Sequence, residues 1–86
     1  HFNRTDASIE SFTQAIDLNP NYAEAFNSRA VAHAMQGNFD QDLTDLDQAI
    51  EVNSDYADAY YNRGKTYTDL GNAEAAINDY SAAIRI

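Results

Sequence analysis

AEAFNSRAVAHAMQGNFDQDLTDLDQAIEVN, from Ala23 to Asn53, holds two apolar patterns of helical period separated by a glycine and an asparagine. In the first, Phe26, Ala30 and His33 recur at steps of three and four, so one face of a helix from Ala23 to about Gln36 carries them all. Gly37 tolerates the left-handed backbone that closes such a helix, and Asn38 is placed to cap the next one. Phe39, Leu43, Leu46, Ala49 and Ile50 then form a second stripe, ending near Val52. Asn53-Ser54-Asp55 breaks the pattern.

The same arrangement returns when the chain is moved along itself by 34 residues. Ile9, Leu43 and Ile77 coincide, as do Phe12, Leu46 and Tyr80; Ala15, Ala49 and Ala83; and Ile16, Ile50 and Ile84. At the same offset Tyr22 meets Tyr56, Phe26 meets Tyr60, Arg29 meets Arg63, Ala30 meets Gly64, His33 meets Tyr67 and Gly37 meets Gly71. The register divides the chain into a second helix with its turn over 1–22, a complete pair over 23–56, and a pair ending before its final turn over 57–86. Five helices are expected and no strand.

A helix-turn-helix recurring at this period resembles the tetratricopeptide repeat. The resemblance covers essentially the whole chain and rests on Ala23–Asn53 and its echo ADAYYNRGKTYTDLGNAEAAINDYSAAIRI, Ala57 to Ile86. It implies an all-α, right-handed superhelical solenoid of antiparallel helix pairs whose first helices line a concave groove for an extended or helical peptide. Two positions depart from the family pattern: Asp42 stands where a small residue is usual, as in Ser8 and Ala76, and Arg29 and Arg63 stand where an aliphatic is usual.

Composition narrows the chemistry. Fourteen acids against five bases give a formal charge of −9, which disfavours nucleic acid and anionic lipid and favours basic or neutral protein segments as partners. No apolar run approaches membrane-spanning length. Without cysteine there is no thiol nucleophile, disulfide or thiolate metal site. The densest acidic stretch, Asp40, Asp42, Asp45 and Asp47, splits between the two flanks of the Leu43–Leu46–Ile50 stripe, so its carboxylates do not converge on one ion, and Asp45 stands where a calcium loop needs glycine. The reading is a solvated acidic helix, with no metal and no cofactor. Of the two histidines, His1 opens the chain and His33 shares its register with Tyr67, as expected of a packed ring; no serine or cysteine is placed to form a relay with it. No catalytic residue is assigned.

Arg29 and Arg63 lie on the packing side of their helices, and each has an aspartate sixteen residues later, Asp45 and Asp79. A guanidinium there is costly unless a carboxylate meets it in a planar, bidentate contact, so the expected pairs are structural: Arg29 with Asp45 and Arg63 with Asp79, or with the aspartate of the neighbouring unit; the alternative is that the arginines reach out to grip a ligand carboxylate. The opposite faces of the first helices present Glu24, Asn27, Val31 and Met35 in one unit, and Asp58, Tyr61, Asn62, Lys65 and Thr68 in the next. These are the candidate peptide-binding residues, with Tyr61 foremost because an exposed ring beside a base and an amide offers contact area at small entropic cost. The carboxylate clamp by which some family members hold the acidic tails of heat-shock chaperones is not reproduced, since only Asn62 is of the expected type at its place. The function expected is non-catalytic protein binding on the concave face. The alternatives are a substrate-selecting repeat region of a larger enzyme, and end-to-end self-assembly through ends that expose apolar surface.

Overall fold

The computed structural model describes residues 3–86, so His1 lies outside the described part. Five helices follow one another: α1 (Arg4–Leu18), α2 (Ala23–Met35), α3 (Phe39–Val52), α4 (Ala57–Asp69) and α5 (Ala73–Arg85). The described residues contain no strand. The pairs α2–α3 and α4–α5 are antiparallel hairpins, each closed by a glycine in the left-handed region, Gly37 at φ 76° and Gly71 at φ 80°. A residue with a Cβ at either site is strained whatever the surrounding space.

Stacking of the pairs makes a right-handed solenoid of the tetratricopeptide type. α1 packs on α2 and α3 packs on α4, while α2 and α4 also touch each other. α1 and α3 do not meet, nor do α3 and α5. That asymmetry curves the array, with α2 and α4 on its inner side.

The core is narrow and built from small residues. Phe26, Ala30, Leu46, Ala49 and Ala59 form its buried centre, flanked by Ile16, Ile50 and Tyr56. Alanine at the crossings lets the axes approach. At the α4–α5 crossing even alanine is too large: a Cβ on Gly64 would lie 2.8 Å from Cε1 of Tyr80. Apolar side chains at the two ends stay in solvent, Leu18 at the end of α1 and Ile77 and Ile84 along α5.

Two expectations change. Asn38 does not cap α3 with its side chain; its amide Nδ2 turns back to donate to Gln36 Oε1 at 3.4 Å. Its counterpart Asn72 does cap, accepting from the Ala75 N–H at 3.2 Å, and Asn3 accepts from the Asp6 N–H at 2.8 Å. Replacing Asn72 by alanine should therefore destabilise the fold by about 1 kcal/mol. The same change at Asn38 should cost less than half as much, and urea unfolding of the two variants reads the difference.

The second correction concerns the acidic helix. Asp40 and Asp47 are exposed, but Asp42 and Asp45 are buried. A helical wheel drawn for one partner brings Asp45 to Arg29 and leaves Asp42 in water. In the solenoid α3 has two partners, α2 and α4, and the flank that carries Asp42 and Asp45 is covered.

Candidate functional site

The polar framework of the site begins with the two arginines, whose surroundings repeat. Arg29 donates from Nε to Asp45 Oδ2 and from Nη2 to Asp45 Oδ1, both at 2.8 Å. Arg63 meets Asp79 with the same two bonds at the same distances. A third nitrogen reaches the preceding unit: Arg29 Nη1 donates to Thr13 Oγ1 at 3.1 Å, and Arg63 Nη1 to Asp47 Oδ1 at 3.0 Å. Each guanidinium also lies over an aromatic ring of its own helix, Arg29 5.7 Å from the centre of Phe26 and Arg63 5.6 Å from that of Tyr60. One arginine per unit thus ties three helices together. The hydrogen bonds to Asp45 and Asp79 hold both guanidiniums above the usual arginine range. These side chains are occupied by the fold and are not free to grip a ligand.

On α4, Tyr61 is 52% exposed. The ring of Tyr80 backs it at 5.7 Å between centroids, tilted by 50°, and Lys65 Nζ lies 5.5 Å from its own centroid. Glu24, Asp58, Asp69 and Thr68 are exposed as well, as are Val31 and Met35, the latter 73% accessible. Asn27 is different: it is only 8% exposed, and its side chain is taken up by neighbours. Its Nδ2 donates to Tyr56 Oη at 3.4 Å, and its Oδ1 accepts from Asn62 Nδ2 at 3.0 Å. Asn27 and Asn62 therefore join α2 to α4 and form the floor between the exposed residues.

Beneath that floor lies a second polar group. Thr66 Oγ1 donates to Asp42 Oδ2, and the Asn62 carbonyl, 3.2 Å from the same oxygen, is an alternative acceptor for its one proton. Burial pushes the Asp42 carboxyl above the usual aspartate range, against the lowering effect of the Thr66 hydrogen bond and of His33. His33 is packed, with Nε2 3.8 Å from Asp45 Oδ2 and a buried Nδ1 that has no partner among the described residues. This is a structural arrangement, since no nucleophile or reactive partner shares it. Among the described residues no group of acidic or histidine side chains is arranged to hold a metal ion, and no helix is long and apolar enough to cross a membrane.

Two features escape sequence reasoning. Tyr80 belongs to the apolar stripe of α5 by its spacing, and its second role behind Tyr61 depends on the α4–α5 crossing. The other is a cleft of about 380 Å³ between α1 and α2, lined by Arg4, Thr5, Ser8 and Phe12 on one side and by Asn27, Ser28, Val31, Ala32 and Met35 on the other. Three of the inner-face candidates, Asn27, Val31 and Met35, thus face this cleft as well.

Comparison with known proteins agrees with the geometry. A family model described as TPR repeat matches residues 3–37 and 34–71, and one described as tetratricopeptide repeat matches 57–86. Among solved structures, the crystal structure of MamA superimposes with a TM-score of 0.90 at 23% sequence identity, over 96% of this chain and 48% of that one. The chain thus spans about half the length of MamA, and the likeness concerns the fold. No curated protein matches it in sequence.

Proposed function

The chain belongs to the tetratricopeptide repeat family, whose members serve generally as non-catalytic protein-interaction modules, and from that premise we propose that it binds a peptide segment of a partner protein on the inner face of α2 and α4. The observation that carries this reading is Tyr61, an accessible aromatic held in place by Tyr80 on one side and Lys65 on the other. A ring already fixed in position loses little freedom when a ligand covers it. Val31, Met35 and Thr68 supply further contact area, and the Asn27–Asn62 pair provides a rigid base.

The charge of the ligand follows from the rim. Glu24, Asp58 and Asp69 surround the face, with Lys65 the one cation among the candidate residues, and the chain as a whole carries −9. Partners of basic or neutral sequence are attracted and acidic ones repelled. No catalysis by this chain is part of the proposal.

Selection of random peptides displayed on phage against the purified chain tests it. Selected peptides should be rich in lysine and arginine, and Tyr61→Ala should lower their affinity at least tenfold, about 1.4 kcal/mol. Tyr61 is half exposed, so its loss should leave helicity unchanged and lower the unfolding free energy by only about 1 kcal/mol, the contact with Tyr80. Peptides that bind wild type and Tyr61→Ala equally would move the site elsewhere.

A further inference from the structure

Three aspartates are buried, Asp42, Asp45 and Asp79. Asp45 and Asp79 each receive two bonds from the arginine of their own unit. Asp42 has no such partner: its carboxylate receives one hydrogen bond, from Thr66, and no cation among the described residues pairs with it. A carboxylate offers about four acceptor positions, so most of its capacity is unused. Asp42 also lines a cleft of about 210 Å³ between α2 and α4, with Val31 and Met35 on the α2 side and Lys65, Thr66 and Asp69 on the α4 side. Val31, Met35, Lys65 and Asp69 are exposed, and Asp42 and Thr66 form the buried depth.

We infer that the α2–α4 cleft receives one lysine side chain of the bound peptide, its ammonium meeting the Asp42 carboxylate and its methylenes lying against Val31 and Met35. The inference rests on the inner-face reading for the ligand being a peptide, and adds the residue that anchors it. The cleft is smaller than the roughly 300–1,000 Å³ of small-molecule pockets and suits a single side chain. Apolar walls over a carboxylate match a side chain with an apolar stem and a charged tip. Arginine fits less well, because its planar fork asks for two parallel acceptors and Thr66 already occupies Oδ2; a compact ammonium needs only the acceptor positions that remain. Lys65, the cation of the wall, lies with Nζ 5.5 Å from the centre of the Tyr61 ring and forms no ion pair with Asp42.

Proton binding and lysine binding then compete. Burial raises the Asp42 carboxyl, Thr66 and His33 oppose the rise, and Asp45 and Asp69 add to it. An ammonium selects the ionised form, so its arrival releases any proton held there. Affinity for lysine should therefore strengthen as pH rises through the Asp42 value of the free chain, and level off above it. His33 of α2, Asp45 of α3 itself, and Asp69 and Lys65 of α4 are the other charged or titratable groups around the site. The carboxyl carbon of Asp42, followed by NMR, reads its titration apart from theirs.

The probe is a blocked pentapeptide with lysine at its centre and alanine elsewhere, titrated into the isotopically labelled chain at neutral pH and followed by NMR, which reads weak binding. Counterparts carry norleucine or arginine in place of lysine. The lysine peptide should shift the amides of Val31, Met35 and Lys65 and the carboxyl carbon of Asp42, and bind at least tenfold more tightly than the norleucine peptide. Asp42→Ala should abolish that preference, whereas Asp40→Ala, which removes the same charge from the exposed side of α3, should keep it. The pH profile of the wild-type chain gives a second reading that needs no variant. Equal affinity for lysine and norleucine, no shifts with the lysine peptide, a preference that survives in Asp42→Ala, or arginine bound as tightly as lysine would each overturn the assignment. Tyr61→Ala separates this result from the inner-face reading. Binding that Tyr61→Ala weakens but that is blind to lysine removes the anchor and leaves the inner face standing; shifts that fall away from α2 and α4 overturn both.

Discussion

Asp45→Ala should lower the unfolding free energy by about 3 kcal/mol, read from urea unfolding at neutral pH. The carboxylate is buried and receives both parallel bonds from Arg29; without it the guanidinium keeps only the Thr13 hydroxyl. Removing one member of a buried pair leaves the other desolvated and unpaired, which costs about 3–5 kcal/mol. The Arg29 side chain retains 20% of its accessibility, so the lower end of that range applies. Domains of this size hold roughly 5 kcal/mol in total, so the variant should be only marginally folded at room temperature. The corresponding change in the last unit should be milder, about 1–2 kcal/mol, because Arg63 without Asp79 still meets Asp47 at 3.0 Å. Joint replacement, Arg29→Met with Asp45→Leu, should recover most of the loss, since no buried charge is then stranded. A cost below about 1 kcal/mol for Asp45→Ala would mean that solvent screens the pair and that the arginine does not hold the three helices together.

The paired arginines also show what could be read in the residues. Arg29 and Asp45 are sixteen residues apart, as are Arg63 and Asp79, and a contact repeated once per unit is visible as soon as the 34-residue register is known. The third member of each cluster was legible by the same arithmetic run backwards, because Thr13 and Asp47 stand sixteen residues before the arginines and in register with each other. The positions that resisted, Asn27 and Asp42, are those covered by a second neighbour. Amphipathic periodicity describes one buried stripe per helix. In a solenoid the inner helices also touch along the array, so α2 buries Asn27 against α4 although its own pattern puts that residue opposite the core. Tyr61, by contrast, lies where no second neighbour reaches, and its exposure follows from spacing alone.

Asp42 is the position where this second contact opposes stability, and Asp42→Ala should stabilise the fold by about 2 kcal/mol at neutral pH. Only 1% of the residue is exposed, and the one hydrogen bond to its carboxylate comes from Thr66. Its register mates are Ser8 and Ala76, so a small residue fits the site. Thr66 would not be stranded by the change, because its hydroxyl proton can turn to the Asn62 carbonyl 3.2 Å away. The pH dependence gives an independent check. Burial raises the folded-state pKa of Asp42 above its unfolded value, so the native chain binds the proton more tightly. The stabilisation from that proton is fully present below the unfolded aspartate value and is lost as pH rises through the folded one. Wild type should therefore gain stability relative to Asp42→Ala as pH falls from neutral toward about 4, and the two unfolding curves should converge. A constant difference across that range would mean that the cost of Asp42 arises from packing and not from its charge.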